Sequence, residues 1–111
     1  FKGKLDGTAI RVPTPNVSLV DFKFNTQRAI SLEELNKKFQ EYSNGPLKGI
    51  LGVDTDPKVS SDYNHDSRSS ILDLSETTAI SSTFGRILTW YDNEWGFSNR
   101  MLETTEQVCK L

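Results

Sequence analysis

The strongest local signal in the chain is a helix marked at both ends. Ser31-Leu32-Glu33-Glu34 is a capping box, in which the Ser31 hydroxyl takes a first-turn N–H and Glu34 is expected to reach back to the Ser31 amide. Leu32, Leu35, Phe39 and Tyr42 follow at helical spacing and form one apolar face. Asn44-Gly45-Pro46 ends the helix, with a left-handed residue expected at its C-terminus and a proline behind it. A helix with one apolar face has to bury it against something else, so the neighbouring segments decide the fold class.

Those neighbours read as strands. Val17 to Phe24 alternates, with Val20, Phe22 and Phe24 pointing one way and Asp21 and Lys23 the other. Thr8 to Val12 reads as a short strand stopped by Pro13 and Pro15. Further strands are expected at Leu47–Val53, Val59–Tyr63, Ser69–Leu74, Thr78–Ser82 and Phe84–Tyr91, with a turn at Asp54-Thr55-Asp56-Pro57. Asp92 to Gly96 breaks the last strand. A second helix is expected from Ser98 or Asn99 to Lys110, with Met101, Leu102, Thr105, Val108 and Cys109 facing the core. Strands and two helices without regular alternation predict an α+β fold with a mostly antiparallel or mixed sheet. With 111 residues, no internal repeat and no linker, one domain over residues 1–111 is expected.

Composition excludes several function classes. The net charge of -2 is mild and mixed along the chain, so nothing electrostatic favours nucleic acid or an anionic membrane. No apolar run approaches the roughly 20 residues that span a bilayer, and no signal-peptide pattern occurs. One cysteine allows no internal disulfide and fits a reducing, cytoplasmic setting, and one cysteine with one histidine are too few for a zinc site. The chain opens Phe1-Lys2-Gly3-Lys4, without an initiator methionine, which suggests a fragment of something longer.

Few side chains could carry chemistry. Arg11, at the end of an expected strand, can point fixed donors at a phosphate or carboxylate, or pair with a surface acid. Asn93, in a turn after Trp90-Tyr91, offers a donor and an acceptor suited to a ligand amide, or merely makes the turn with Asp92. His65 has no nucleophile beside it in the sequence and reads as a surface or structural histidine. Cys109 falls in the last turn of a helix, where the dipole disfavours a thiolate, and reads as a small core residue. Asn16-Val17-Ser18 matches a glycosylation pattern without any secretion signal to support it. Neither a Walker pattern nor Gly-x-Gly-x-x-Gly occurs. By these rules alone the chain is an α+β domain with no complete active site.

Longer motifs go further. Gly7-Thr8-Ala9-Ile10-Arg11-Val12-Pro13-Thr14-Pro15-Asn16-Val17-Ser18 and Gly45-Pro46-Leu47-Lys48-Gly49-Ile50-Leu51 resemble the catalytic domain of phosphorylating glyceraldehyde-3-phosphate dehydrogenases. So do Val59-Ser60-Ser61-Asp62-Tyr63, Ser69-Ser70-Ile71-Leu72-Asp73 and the run from Trp90 to Arg100, in the family's order and with similar gaps. The resemblance implies an enzyme that oxidises and phosphorylates glyceraldehyde 3-phosphate with NAD and inorganic phosphate. It implies that Arg11 helps bind a phosphate anion and that Asn93 hydrogen-bonds the nicotinamide carboxamide. Phe97 stands where many relatives carry tyrosine, so aromatic packing near the cofactor is implied without the hydroxyl's hydrogen bond. The family's nucleophilic cysteine, in Ser-Cys-Thr-Thr-Asn-Cys, its histidine base and its Rossmann domain have no counterpart here, and neither Cys109 nor His65 aligns with them. The chain alone is accordingly expected to be inactive, and the full-length protein a cytoplasmic homotetramer. Erythrose-4-phosphate dehydrogenase is a similar relative, and a stand-alone assembly domain is the non-catalytic alternative.

Overall fold

The run from 17 to 24 becomes strand β1 (Ser18–Asn25), without Val17 and with Val20 and Phe22 exposed rather than on the half-buried face the alternation predicts, and the capped apolar stripe becomes helix α1 (Leu32–Asn44). The computed structural model describes residues 2–111, so Phe1 of the opening tetrapeptide lies outside the described residues. After α1 come β2 (Leu51–Asp54), a single 3-10 turn at Ser60–Tyr63, β3 (Ser70–Ala79), β4 (Phe84–Tyr91) and helix α2 (Trp95–Cys109). The strands form one sheet in the order β1-β4-β3-β2. β4 runs antiparallel to both β1 and β3, while β2 runs parallel to β3. The result is the expected α+β architecture with a mixed sheet and two helices.

The core forms where β3 and β4 meet. Ile71 is fully buried and lies opposite Trp90 in the antiparallel register. Val17 and Tyr63 complete this cluster, with the Tyr63 and Trp90 rings stacked at 5.6 Å between centroids. Helix α1 packs on β2 and β3 and buries Leu35, while Leu32 and Tyr42 at the edges of its apolar face stay exposed.

Several expectations are corrected. Thr8–Val12 is not a strand: Ile10 and Val12 are exposed and no sheet partner among the described residues reaches this segment, so β-propensity alone does not order it as one. Ser31 does cap α1, its Oγ accepting from Glu34 N at 3.0 Å, but the Glu34 carboxylate pairs with Arg28 instead of reaching back. Gly45 ends α1 at φ −120°, outside the left-handed region, and the left-handed glycine comes later, at Gly49 with φ 81°. Residues 47–50 turn rather than extend, because the amides of Ile50 and Leu51 both donate to the Leu47 carbonyl, so β2 starts only at Leu51. Val59–Tyr63 coils into the 3-10 turn, with Val59 N donating to the Asp62 carboxylate at 2.8 Å.

The separate strands expected at Ser69–Leu74 and Thr78–Ser82 are one strand with an irregularity between Asp73 and Thr78. Asp73 Oδ1 accepts from the amides of Ser75 and Glu76, and the Thr77 hydroxyl donates to the Asp73 carbonyl, so the extra residues are satisfied locally. Helix α2 begins three residues before Ser98. Its apolar face does not meet the core: Met101, Leu102 and Val108 are 54%, 71% and 62% exposed, and Thr105 and Cys109 are exposed too. Helical spacing reports that a face is apolar, and nothing in the spacing places the partner within these residues.

Candidate site at the entry to helix α2

Three residues separate β4 from α2, and the first of them organises the rest. Asp92 is 2% exposed, and no ion pair among the described residues involves its carboxylate. Its Oδ1 accepts from Glu94 N at 3.0 Å and Trp95 N at 2.8 Å, which caps the first turn of α2. Its Oδ2 accepts from His65 N and from Asn16 Nδ2, both at 2.9 Å. Burial pushes this carboxyl up, yet the hydrogen bonds from Trp95, His65, Glu94 and Asn16 outweigh it and hold Asp92 below the usual carboxylate range. The cap explains why α2 starts earlier than its apolar pattern predicts.

Gly96 lets the helix seat closely. A Cβ there would lie 2.9 Å from the Arg68 carbonyl oxygen, so only glycine allows the first turn to approach the loop before β3. Arg100, one turn on, donates to the carbonyls of Gly49 and Ser67 and pairs with Glu103. Between these contacts a cavity of about 260 Å³ opens, lined by Asn93 and Phe97 together with Tyr91, Ser69 and Arg100. Asn93 and Phe97 are exposed, and no hydrogen bond among the described residues uses the Asn93 amide. An exposed carboxamide beside an exposed aromatic ring can pair with an amide and cover a flat heterocycle.

The structure thus brings Asn93 and Phe97 to one cavity. Arg11 is not among the residues lining it and sits in an exposed segment without regular structure. His65 is exposed, with its ring against Trp95 at 5.1 Å and its amide on Asp92. Asp92 itself, taken from the sequence as a turn residue, is the organiser of the site. A signal for it existed, because an aspartate two and three residues before a helix's first amides is the pattern of an Asx turn.

The family model described as "Glyceraldehyde 3-phosphate dehydrogenase, C-terminal domain" matches residues 1–93. The chain belongs to the glyceraldehyde-3-phosphate dehydrogenase family. The proteins of that name from Cereibacter sphaeroides and Xanthobacter flavus are 52% identical over 111 residues and 53% identical over 109. That of Zymomonas mobilis subsp. mobilis is 49% identical over 111 residues. These alignments cover 98–100% of this chain but only 32–33% of each relative, so the chain spans about a third of the length of the curated relatives it matches. The family match ends at Asn93, at the mouth of the cavity, and the relatives' similarity continues through α2. Among the described residues no helix is long and apolar enough to cross a membrane, and no cluster of His, Cys, Asp or Glu could hold a metal ion.

Proposed function

We propose that this chain supplies one wall of the active site of an NAD-dependent dehydrogenase that converts glyceraldehyde 3-phosphate and inorganic phosphate to 1,3-bisphosphoglycerate in glycolysis. The observation that carries the reading is the free Asn93 amide beside Phe97 in one cavity, within a chain of this family. The fit to NAD is partial and specific. Asn93 can donate to and accept from the nicotinamide carboxamide, and Phe97 can cover the ring. No glycine-rich phosphate cradle occurs in the sequence to hold the pyrophosphate. NAD, when bound, accepts the hydride. Asn93 orients the ring, and Phe97 excludes water from one side of it.

Arg11 is the phosphate ligand in this reading. Its exposed position and freedom from ion pairs among the described residues suit a guanidinium that acquires an anionic partner only when the site is complete. The nucleophile, the base and the main NAD surface lie in the other two thirds of a relative-length polypeptide, so residues 1–111 are one domain-sized piece of the catalytic unit and inactive alone. The full-length protein is a cytoplasmic homotetramer in this reading.

The test is NADH absorbance with the full-length protein carrying this chain, given glyceraldehyde 3-phosphate, NAD and phosphate. Phosphate-dependent NAD reduction is expected, with none from the 111-residue chain by itself. Robust reduction by the chain alone would contradict the reading, and a preference for erythrose 4-phosphate would move it to that related activity.

A second reading rests on the open apolar stripe of α2, which suits an assembly role. Size-exclusion of the chain separates the two, since self-association without NAD binding supports assembly.

A further inference from the structure

We propose that Asp92 is the positioning residue for Asn93, holding the turn that presents the Asn93 amide by tying it to two backbone segments kept in left-handed conformations. The proposal rests on the reading of Asn93 as the nicotinamide ligand.

The geometry is that of a clamp closed from both sides. Oδ1 holds the amides of Glu94 and Trp95, the two residues that follow Asn93. Oδ2 holds the amide of His65 and the side chain of Asn16. Asn93 therefore sits between a residue whose carboxylate is fixed and two residues fixed by that carboxylate. The clamp fixes the Asn93 backbone, while its side chain makes no hydrogen bond among the described residues and remains exposed on the cavity. A fixed backbone sets where the Asn93 side chain starts, and so limits what a ligand must order, with both its donor and its acceptor left for that ligand.

The second observation is strain. Val17 and His65 are the two non-glycine residues with positive φ among those described, at 69° and 64°. For a β-branched residue that is a true outlier, kept only where the surroundings over-determine it. Both sit on the two segments that Asp92 Oδ2 anchors. His65 donates its own amide, and Val17 follows Asn16, which also donates to Asn64 Oδ1 at 2.9 Å. Val17 is pinned from its other side by burial against Tyr63 and Ile71. One carboxylate thus joins the two strained backbones, through Oδ2, to the Asn93 turn, through Oδ1.

Asp92→Asn is the informative change. Its remaining oxygen can still serve Glu94 and Trp95, while its amide group would set donor against donor at His65 N and Asn16 Nδ2. In the full-length protein the probes are NAD and ADP-ribose, which lacks the nicotinamide, with dissociation constants measured by calorimetry. Asp92→Asn is expected to weaken NAD about tenfold and leave ADP-ribose unchanged. Asn93→Ala should lose a similar factor, and the double variant no more than Asn93→Ala alone, as an effect acting through Asn93 requires. Should Asp92→Asn fail to fold, Asn16→Ala keeps the helix cap and should show the same selectivity with a loss of about threefold. Equal weakening of both ligands, no weakening of either, or losses that multiply in the double variant would overturn the proposal while leaving Asn93 its role. If Asn93→Ala itself fails to discriminate between NAD and ADP-ribose, the reading of Asn93 falls, and this proposal with it.

Discussion

Asn16 and Asp92, 76 residues apart in sequence, are joined side chain to side chain at 2.9 Å, and this bond fastens the start of β1 to the start of α2. Asn16 also reaches Asn64, so Asn16→Ala removes two hydrogen bonds and leaves a buried carboxylate short of one donor. The expected loss of stability is about 1–2 kcal/mol, read from the urea midpoint of the full-length protein.

Ile71 is the fully buried centre of the core and lies opposite Trp90. Ile71→Ala removes apolar contacts at the paired β3–β4 core, whose surroundings relax only partly around the void. It should cost about 2–5 kcal/mol, measured by the same denaturation.

Gly96→Ala places a methyl 2.9 Å from the Arg68 carbonyl, a backbone atom that cannot rotate away. The first turn of α2 must lift, at a cost of roughly 1–3 kcal/mol. Since Phe97 is the next residue, NAD affinity should fall along with the melting temperature. A melting temperature within error of the unsubstituted protein would contradict the close seating of α2.

The α2 stripe separates the two forms of the protein by prediction. Met101 is 54% exposed here, so Met101→Ala in the chain alone should change stability by less than about 0.5 kcal/mol. If the rest of the polypeptide covers the stripe, the same substitution in the full-length protein should cost about 2 kcal/mol or more. Denaturant unfolding of both forms checks this, and equal small effects would mean that the stripe stays open.

Asp92 also sets an acid sensitivity. Its carboxyl is held below its ordinary value of 3.8, so the folded state favours the ionised form more than the unfolded state does. The stabilisation is therefore fully present above the ordinary value and lost as pH falls through the lowered one. Unfolding followed across the acid range should show this loss, and Asp92→Asn should show a flatter pH dependence from a lower starting stability.

How much of this was legible in the sequence depends on where each signal's partner lies. The Ser31 cap and strand β1 were readable because cap and pattern are local, within three residues or one strand, although the face carrying Val20 and Phe22 is exposed rather than half-buried. The merger of two expected strands into β3 was hidden because the Asp73 side chain satisfies the irregularity internally. The outward stripe of α2 was misjudged because periodicity gives a face its character without giving it a partner. For the site, Asn93 and Phe97 came from motif resemblance, while their convergence on one cavity needed the fold. Asp92 was passed over as a turn residue, since two of its four donors, His65 and Asn16, are distant in sequence.

The most direct test of the central claim is the turnover of the full-length protein with Asn93→Ala, followed as NADH absorbance with saturating glyceraldehyde 3-phosphate and phosphate. If this chain carries the nicotinamide-facing wall, kcat/KM for NAD should fall by about tenfold or more while the protein stays folded. An unchanged kcat/KM would contradict that claim.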